Sequence, residues 1–164
     1  MSHATVDLRI SAEDYGTLHH HMYPGDRDEH GAVLKAGLVE DGDQLRLVVR
    51  EVIPAQFGTD YIAGRVGYRA LAPKFIHRHI TACRDERMVY LAAHNHGSNE
   101  EVNFSAIDIE SHERGYPALL DIAKGMPVGA LVLGLNSMEA DLWMPSGQRR
   151  SLGTCSVVGK ASIA

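Results

Sequence analysis

A short apolar run that ends in two histidines constrains this chain more than any other stretch. The run 87–93, apolar and bounded by charge, predicts a buried strand that delivers His94 and His96 at its end. Side chains two apart on a strand point to the same face, so the two imidazoles lie side by side, roughly 6–7 Å apart at the backbone. That separation suits one shared metal ion.

A helix predicted after this strand can supply a third ligand. Ser105 and Asp108 open the helix, and a carboxylate in its first turn can swing back toward the imidazoles. Two histidines, a carboxylate and an open fourth position form the ligand set of a catalytic zinc site. The two cysteines, Cys83 and Cys155, lie far off in sequence, so water is the expected fourth ligand.

Each half of this pattern also has a plainer explanation. Ser105-x-x-Asp108 is a helix capping box when it stands alone, and His94-x-His96 is common in strands. Their joint occurrence after a buried strand, with a carboxylate upstream on another strand, favours a metal site. Histidine and carboxylate suit several divalent metals, so the ligand types do not distinguish zinc from the other divalent metals.

Alternation and helical spacing divide the chain into strands and helices in a mixed order. The order fits one mixed α/β (α+β) domain over residues 1–164, which could be the N-terminal part of a longer polypeptide. Gly115 and Pro117 predict a kink or break in the last helix. The predicted strands lie at 6–10, 29–39, 44–53, 87–93, 128–135, 138–144 and 149–158, and the helices at 11–22, 71–83 and from 105 onward.

The metal-site pattern resembles the JAMM motif of the JAB/MPN metalloprotease family. The matching residues are His94-x-His96, then eight residues, then Ser105-x-x-Asp108, with Glu29 at the position of the upstream glutamate. The resemblance implies a cytidine-deaminase-like fold, in which a central mixed, mostly antiparallel sheet is flanked by helices. The order of elements covers most of the chain, whereas the specific motif covers these five residues.

Two departures from the family pattern affect the loop between the ligands. Gly97 stands where the family usually has proline, and the spacer to Ser105 is one residue longer than usual. Glycine is permissive at a tight turn, and an extra loop residue can be absorbed without moving the ligands. The segment 104–120 is most similar to bacterial members associated with ThiF-like activating enzymes.

The resemblance also implies an activity and a set of partners. One catalytic Zn²⁺ would be held by His94, His96 and Asp108, with Glu29 as general base and Ser105 stabilising the oxyanion. The enzyme would cleave a peptide or isopeptide bond after the C-terminal tail of a ubiquitin-like or sulfur-carrier protein. A ThiF-like adenylating enzyme is the second implied partner.

The choice of Glu29 as the general base rests on the resemblance rather than on spacing. Asp28 and Glu51 compete for the role of base on sequence alone. The match of residues 31–34 to the glutamate-containing strand of the family selects Glu29.

Two other functions remain open beside the hydrolase. The domain could be a non-catalytic MPN scaffold for protein interactions, although a scaffold needs neither ligands nor base. A RadC-like role on nucleic acid shares the His94-Asn95-His96 string, but the net charge of -5 argues against phosphate binding.

Composition indicates a cytoplasmic protein. The chain has no apolar run of about eighteen residues and no signal-peptide pattern, so no membrane partner is expected. The cysteines have no CxxC spacing, which favours reduced thiols. Three consecutive histidines, 19–21, resemble a metal tract, but consecutive residues on a helix point in different directions.

Overall fold

The first strand and the first helix show how local sequence sets the elements. The computed structural model describes residues 5–26, 28–62, 70–96 and 106–159, with the backbone alone for 106–111. Val6, Leu8 and Ile10 are buried along one face of the first strand, as their alternation predicts. The Ser11 side chain then accepts the Asp14 backbone N–H at 3.0 Å and caps the helix. Both predicted elements are confirmed.

The described chain contains seven strands and three helices. Each predicted element is present, with bounds that differ by a few residues. The strands are β1 (Val6–Ser11), β2 (Gly31–Asp41), β3 (Gln44–Pro54), β4 (Val89–Asn95), β5 (Val128–Leu133), β6 (Met138–Trp143) and β7 (Arg149–Val158). The helices are α1 (Ala12–Met22), α2 (Pro73–Glu86) and α3 (Ala106–Ala123).

The strands close into a barrel, which corrects the expected fold. Their order is β1-β3-β2-β4-β5-β6-β7, and β7 returns to pair in parallel with β1. The cytidine-deaminase-like JAB/MPN arrangement, a central mostly antiparallel sheet flanked by helices, is therefore wrong for this chain. Periodicity locates strands but carries no signal for a pairing between the first strand and the last.

Helix α3 also differs from its prediction. Gly115 and Pro117 predicted a kink or break, but α3 continues through both residues. Proline removes one backbone hydrogen bond from a helix interior. The packing of Leu119 and Leu120 against the core offsets that loss. The predicted break does not occur.

Three strands of the barrel are covered on both sides. The first half of β2 and nearly all of β4 and β5 are buried. The barrel core covers one face, while α2 contacts β2 and β4, and α3 contacts β5 and α2. None of the helices in the described ranges combines the length and apolarity needed to cross a membrane.

Lys35 is a charged exception within this buried region. It lies on β2 and is buried, with Glu86 3.0 Å and Glu51 3.6 Å from its Nζ. Burial by itself lowers the pKa of Lys35, but the hydrogen bond and charge of Glu86, helped by Glu51, raise the pKa above its ordinary value. Lys35 is therefore charged at neutral pH. Glu51, which lies on β3, is held in an ion pair with Lys35.

The position of β4 sets the place of the predicted site. β4 runs antiparallel to β2 and parallel to β5, so its carboxyl end lies beside the start of β2 and the end of β5. The register pairs His94 with Gly31 on one side and with Val132 on the other. Residues just before Gly31 are thereby brought to the two histidines.

Candidate metal centre

The two predicted histidine ligands converge at the end of β4. Their Nε2 atoms are 3.3 Å apart, and the ring centroids are separated by 5.1 Å with an interplanar angle of 62°. Both residues are half-buried. Because alternate side chains of a strand share a face, His94 and His96 point the same way while Asn95 points to the other side.

The spacing of the two nitrogens fits a shared zinc ion. Two nitrogens bound to one zinc at about 2.0–2.1 Å in tetrahedral geometry are about 3.3–3.4 Å apart. The observed 3.3 Å between the Nε2 atoms of His94 and His96 matches this separation. The same distance also permits a hydrogen bond between one protonated and one unprotonated ring nitrogen, so the spacing alone does not require metal.

The backbone at His96 is fixed by the neighbouring strand and helix. The His96 N–H donates to the Leu133 carbonyl at 3.0 Å, which extends the β4–β5 pairing beyond β4. The Tyr23 hydroxyl donates to the carbonyls of His96 at 2.8 Å and Leu133 at 3.0 Å. Burial raises the pKa of Tyr23, so this hydroxyl stays a donor at neutral pH.

Asn95 ties three elements together behind the histidines. Its side chain is 3% exposed, donates to the Met22 carbonyl at 3.0 Å and accepts the His30 backbone N–H at 2.6 Å. The Asn95 N–H donates in turn to the His30 carbonyl at 3.3 Å. The end of α1 and the approach to β2 are thus fixed to the strand that carries both histidines.

Replacing Asn95 should therefore destabilise the fold. In Asn95→Ala the Met22 carbonyl and the His30 N–H lose their partner, and each buried unpaired group costs about 1–3 kcal/mol. We expect a loss of about 3 kcal/mol in the free energy of unfolding, measured by urea denaturation with a chelator present. Asn136→Ala, at an exposed site, should change stability by less than about 0.5 kcal/mol. Equal losses of unfolding free energy in the two variants would show that Asn95 does not have this bridging role.

Glu29 reaches the site through the β2–β4 register. Gly31 pairs with His94, and the hydrogen bond from the Asn95 N–H to the His30 carbonyl continues this pairing, which brings Glu29 toward the end of β4. Glu29 and His94 line the same cavity. Of the three carboxylates that compete on sequence alone, Glu51 contacts Lys35 across β2, and only Glu29 lines this cavity.

The remaining members of the motif are described in part. Asp108 is the third residue of α3 and lies in its first turn. Its side chain, the whole of Ser105 and Gly97 fall outside the described residues. Among the side chains that are described, no three histidine, cysteine, aspartate or glutamate residues are grouped to hold a metal. The fit to zinc depends on the two imidazoles.

A cavity of about 290 Å³ opens beside His94 and Glu29. Residues with small side chains on β4 and β5, Ala92 and Ala130, form its floor. Side chains of α2, of the segment just before it, of α3 and of β6 form its walls. The larger wall residues are Leu71, Ile76, His112, Tyr116, Leu119 and Trp143.

Comparison with known proteins supports the fold and assigns no activity. No protein-family model matches the chain, and no curated protein does. Among solved structures, the chain is similar to the solution structure of protein DSY2949 from Desulfitobacterium hafniense. That similarity has 15% sequence identity and a TM-score of 0.55, and it covers 94% of this chain and 97% of that chain. The likeness concerns the fold alone.

Sequence reasoning missed the aromatic wall of the cavity. His112 meets Trp143 edge to face at 5.5 Å, and Tyr116 stacks on Trp143 at 5.2 Å with an interplanar angle of 13°. His112 follows Asp108 by four residues, a spacing that places two side chains on the same helix face. That spacing could have indicated His112, whereas nothing in the sequence links α3 to Trp143 on β6.

The histidine tract of α1 has structural partners. His19 Nε2 lies 3.0 Å from the Leu135 carbonyl, and His21 Nε2 lies 2.9 Å from the Gly31 carbonyl. Each ring nitrogen therefore donates to a backbone oxygen, one in the turn between β5 and β6 and the other at the start of β2. The tract anchors α1 at two places.

His21 should make the fold sensitive to mild acid. Burial, helped by the charge of His30, lowers the pKa of His21 below its ordinary value of 6.5 despite the hydrogen bond to the Gly31 carbonyl. As the pH falls through 6.5 the unfolded chain takes up a proton that the folded His21 resists, so stability is lost toward the lower folded pKa. We expect His21→Gln to lose less stability than the wild type between about pH 7 and pH 5.

This comparison is made by urea denaturation at both pH values. His77→Gln, at an exposed site on α2, serves as the control. It should lose as much stability as the wild type between the two pH values. If stability depends on pH in His21→Gln as it does in the wild type, His21 does not contribute to the loss of stability in acid.

Proposed function

We propose that this protein is a zinc-dependent hydrolase with a JAMM-type site. It would cleave a peptide or isopeptide bond after the C-terminal tail of a ubiquitin-like or sulfur-carrier protein. The observation that carries the proposal is the 3.3 Å separation of the His94 and His96 Nε2 atoms, which matches two ligands of one tetrahedral zinc. Glu29, on the same cavity as His94, supplies a carboxylate beside them.

Each motif residue has a distinct task in this proposal. His94, His96 and Asp108 would hold the ion, which would supply Lewis acidity and a water molecule that is acidic near neutral pH. Glu29 would take a proton from the attacking water and return it to the leaving amine. Ser105, or its backbone N–H at the positive end of α3, donates a hydrogen bond to the developing oxyanion.

The substrate class is proposed from the motif and not from the barrel. The spacing His94-x-His96 and Ser105-x-x-Asp108 is similar to that of JAB/MPN proteases that act on ubiquitin-like tails. The same resemblance proposes a ThiF-like adenylating enzyme as a partner. The cytoplasm is proposed as the compartment from the composition of the chain and not from the resemblance. Neither nucleic acid nor membrane is proposed as a partner.

A cleavage assay on defined fusions tests this function. Ubiquitin-like and sulfur-carrier proteins from genomes that encode ThiF-like enzymes would be fused through their C-terminal tails to a reporter. We expect cleavage at the end of the tail, its loss with a chelator and its return when zinc is restored. A folded, zinc-loaded protein that cuts none of the fusions would exclude this substrate class, and a folded protein without zinc would make a non-catalytic scaffold for protein interactions the better account.

A further inference from the structure

The cavity beside the candidate metal centre has the size and lining of a side-chain pocket. Small-molecule pockets span about 300–1,000 Å³, so a volume of about 290 Å³ suits one large side chain better than an extended ligand. Ala92 and Ala130 are paired across β4 and β5, and both lie in the floor. Their short side chains leave the space that larger residues would fill.

The cavity extends away from the reacting groups along β4. Tyr90, Ala92 and His94 all line it, and residues two apart on a strand advance by about 6.6 Å. One end therefore lies at His94 and Glu29, and the floor at Ala92 lies about 6.6 Å further along the strand. A group bound in it would be attached to an atom close to the scissile bond.

Aromatic side chains form the wall contributed by α3 and β6. Tyr116 and Trp143 are stacked with ring centroids 5.2 Å apart, and His112 meets Trp143 edge to face. These contacts hold the rings in fixed orientations. A preformed aromatic surface favours another ring, which can add an offset-stacked or edge-to-face contact.

Tyr90 lies at the end of the cavity furthest from His94 along β4. Its side chain is 1% exposed, and its hydroxyl has no hydrogen-bond partner among the described residues. That hydroxyl is inaccessible to water, so other atoms of Tyr90 line the cavity. The contribution of Tyr90 to the lining is therefore apolar.

We infer that this cavity is a specificity pocket for an aromatic side chain on the residue next to the scissile bond. The inference rests on the proposed function only where it assigns that side chain to a substrate. It adds a selectivity that the motif residues alone do not provide, because most of the lining comes from other residues of α2, α3 and β4 to β6.

Binding can be measured without turnover because the single tryptophan of the chain, Trp143, lines the pocket. Purified protein would be titrated with N-acetylphenylalaninamide and with N-acetylalaninamide while its intrinsic fluorescence is followed. We expect a saturable change with the phenylalanine amide and at least about tenfold weaker binding of the alanine amide. Equal binding of the two amides, or no binding of either, would overturn the inference.

Two variants alter the pocket in opposite ways. Ala130→Leu fills the floor, and Leu119→Ala removes an apolar contact from the α3 wall. Each should weaken binding of the phenylalanine amide by about tenfold. Leu120→Ala is the matched control, because Leu120 is a half-buried leucine of the same helix that does not line the pocket.

Circular dichroism would show that each variant is folded. If Ala130→Leu does not fold, the comparison of Leu119→Ala with Leu120→Ala decides the question. Equal affinities in that pair would overturn the inference.

Hydrolysis of fusions that carry phenylalanine or alanine next to the scissile bond separates this inference from the proposed function. Selective amide binding without hydrolysis of any fusion would reject the hydrolase and leave an aromatic-binding pocket. Equal kcat/KM values for the two fusions, without selective amide binding, would reject the pocket and leave the hydrolase.

Discussion

Protein purified without a histidine tag is expected to carry about one equivalent of zinc, and the His96→Ala variant none. The two Nε2 atoms, 3.3 Å apart, are the described donors that match a zinc ion, and removing one leaves an incomplete ligand set. Elemental analysis of both proteins after dialysis measures the difference. We expect Asp108→Ala to behave like His96→Ala, because α3 carries Asp108 in its first turn.

Two controls make the zinc measurement specific. His77→Ala removes an exposed histidine of α2 and should retain the metal. His19→Ala removes a member of the α1 tract, whose ring contacts the Leu135 carbonyl, and should also retain it. Zinc in His96→Ala, or a wild-type protein that is folded and free of metal, would return the two imidazoles to a structural role.

Glu29→Gln is expected to keep its zinc and to lose hydrolysis by about 10²–10⁴-fold in kcat/KM. The amide preserves the size of the side chain beside His94 but cannot take a proton from water. Single-turnover cleavage of a fusion substrate, together with zinc content, measures both parts of the expectation.

Neighbouring carboxylates serve as controls for Glu29. Asp28→Asn changes an adjacent residue that does not line the cavity, and Glu51→Gln changes a carboxylate that contacts Lys35. Both should retain most of the activity. Full activity in Glu29→Gln, or a comparable loss in Asp28→Asn, would show that the assigned base is wrong.

The sequence predicted elements well because each depends on neighbours along the chain. The alternation of Val6, Leu8 and Ile10 and the cap at Ser11 are local signals, and the structure confirms the elements that they predict. Barrel closure was not predictable in this way. It depends on pairing of β1 with β7, and an alternating strand pattern is the same whether or not such a partner exists.

One part of the candidate site is also set by local sequence, and another part depends on how the strands pair. The side-by-side placement of His94 and His96 follows from the two-residue period of a strand, and the rings do meet. The place of Glu29 depends on the register of β2 against β4, so sequence alone could not separate it from Asp28 and Glu51.

The aromatic wall of the pocket depends on contacts between residues that are still further apart in the chain. α3 contributes His112 and Tyr116, while β6 contributes Trp143. Only the folded arrangement of β5, β6 and α3 brings these rings together. Local sequence patterns therefore indicate the two histidines but not the aromatic residues of the cavity.

Closure of the barrel by distant strands has a consequence for biosynthesis. β7 is the second partner of β1, so β1 keeps an open side until the ribosome has released the chain as far as residue 158. Open strand edges are templates for pairing with other molecules, and contacts between distant residues form slowly. The growing polypeptide therefore carries an open strand edge, a risk for aggregation, until β7 arrives and pairs with β1.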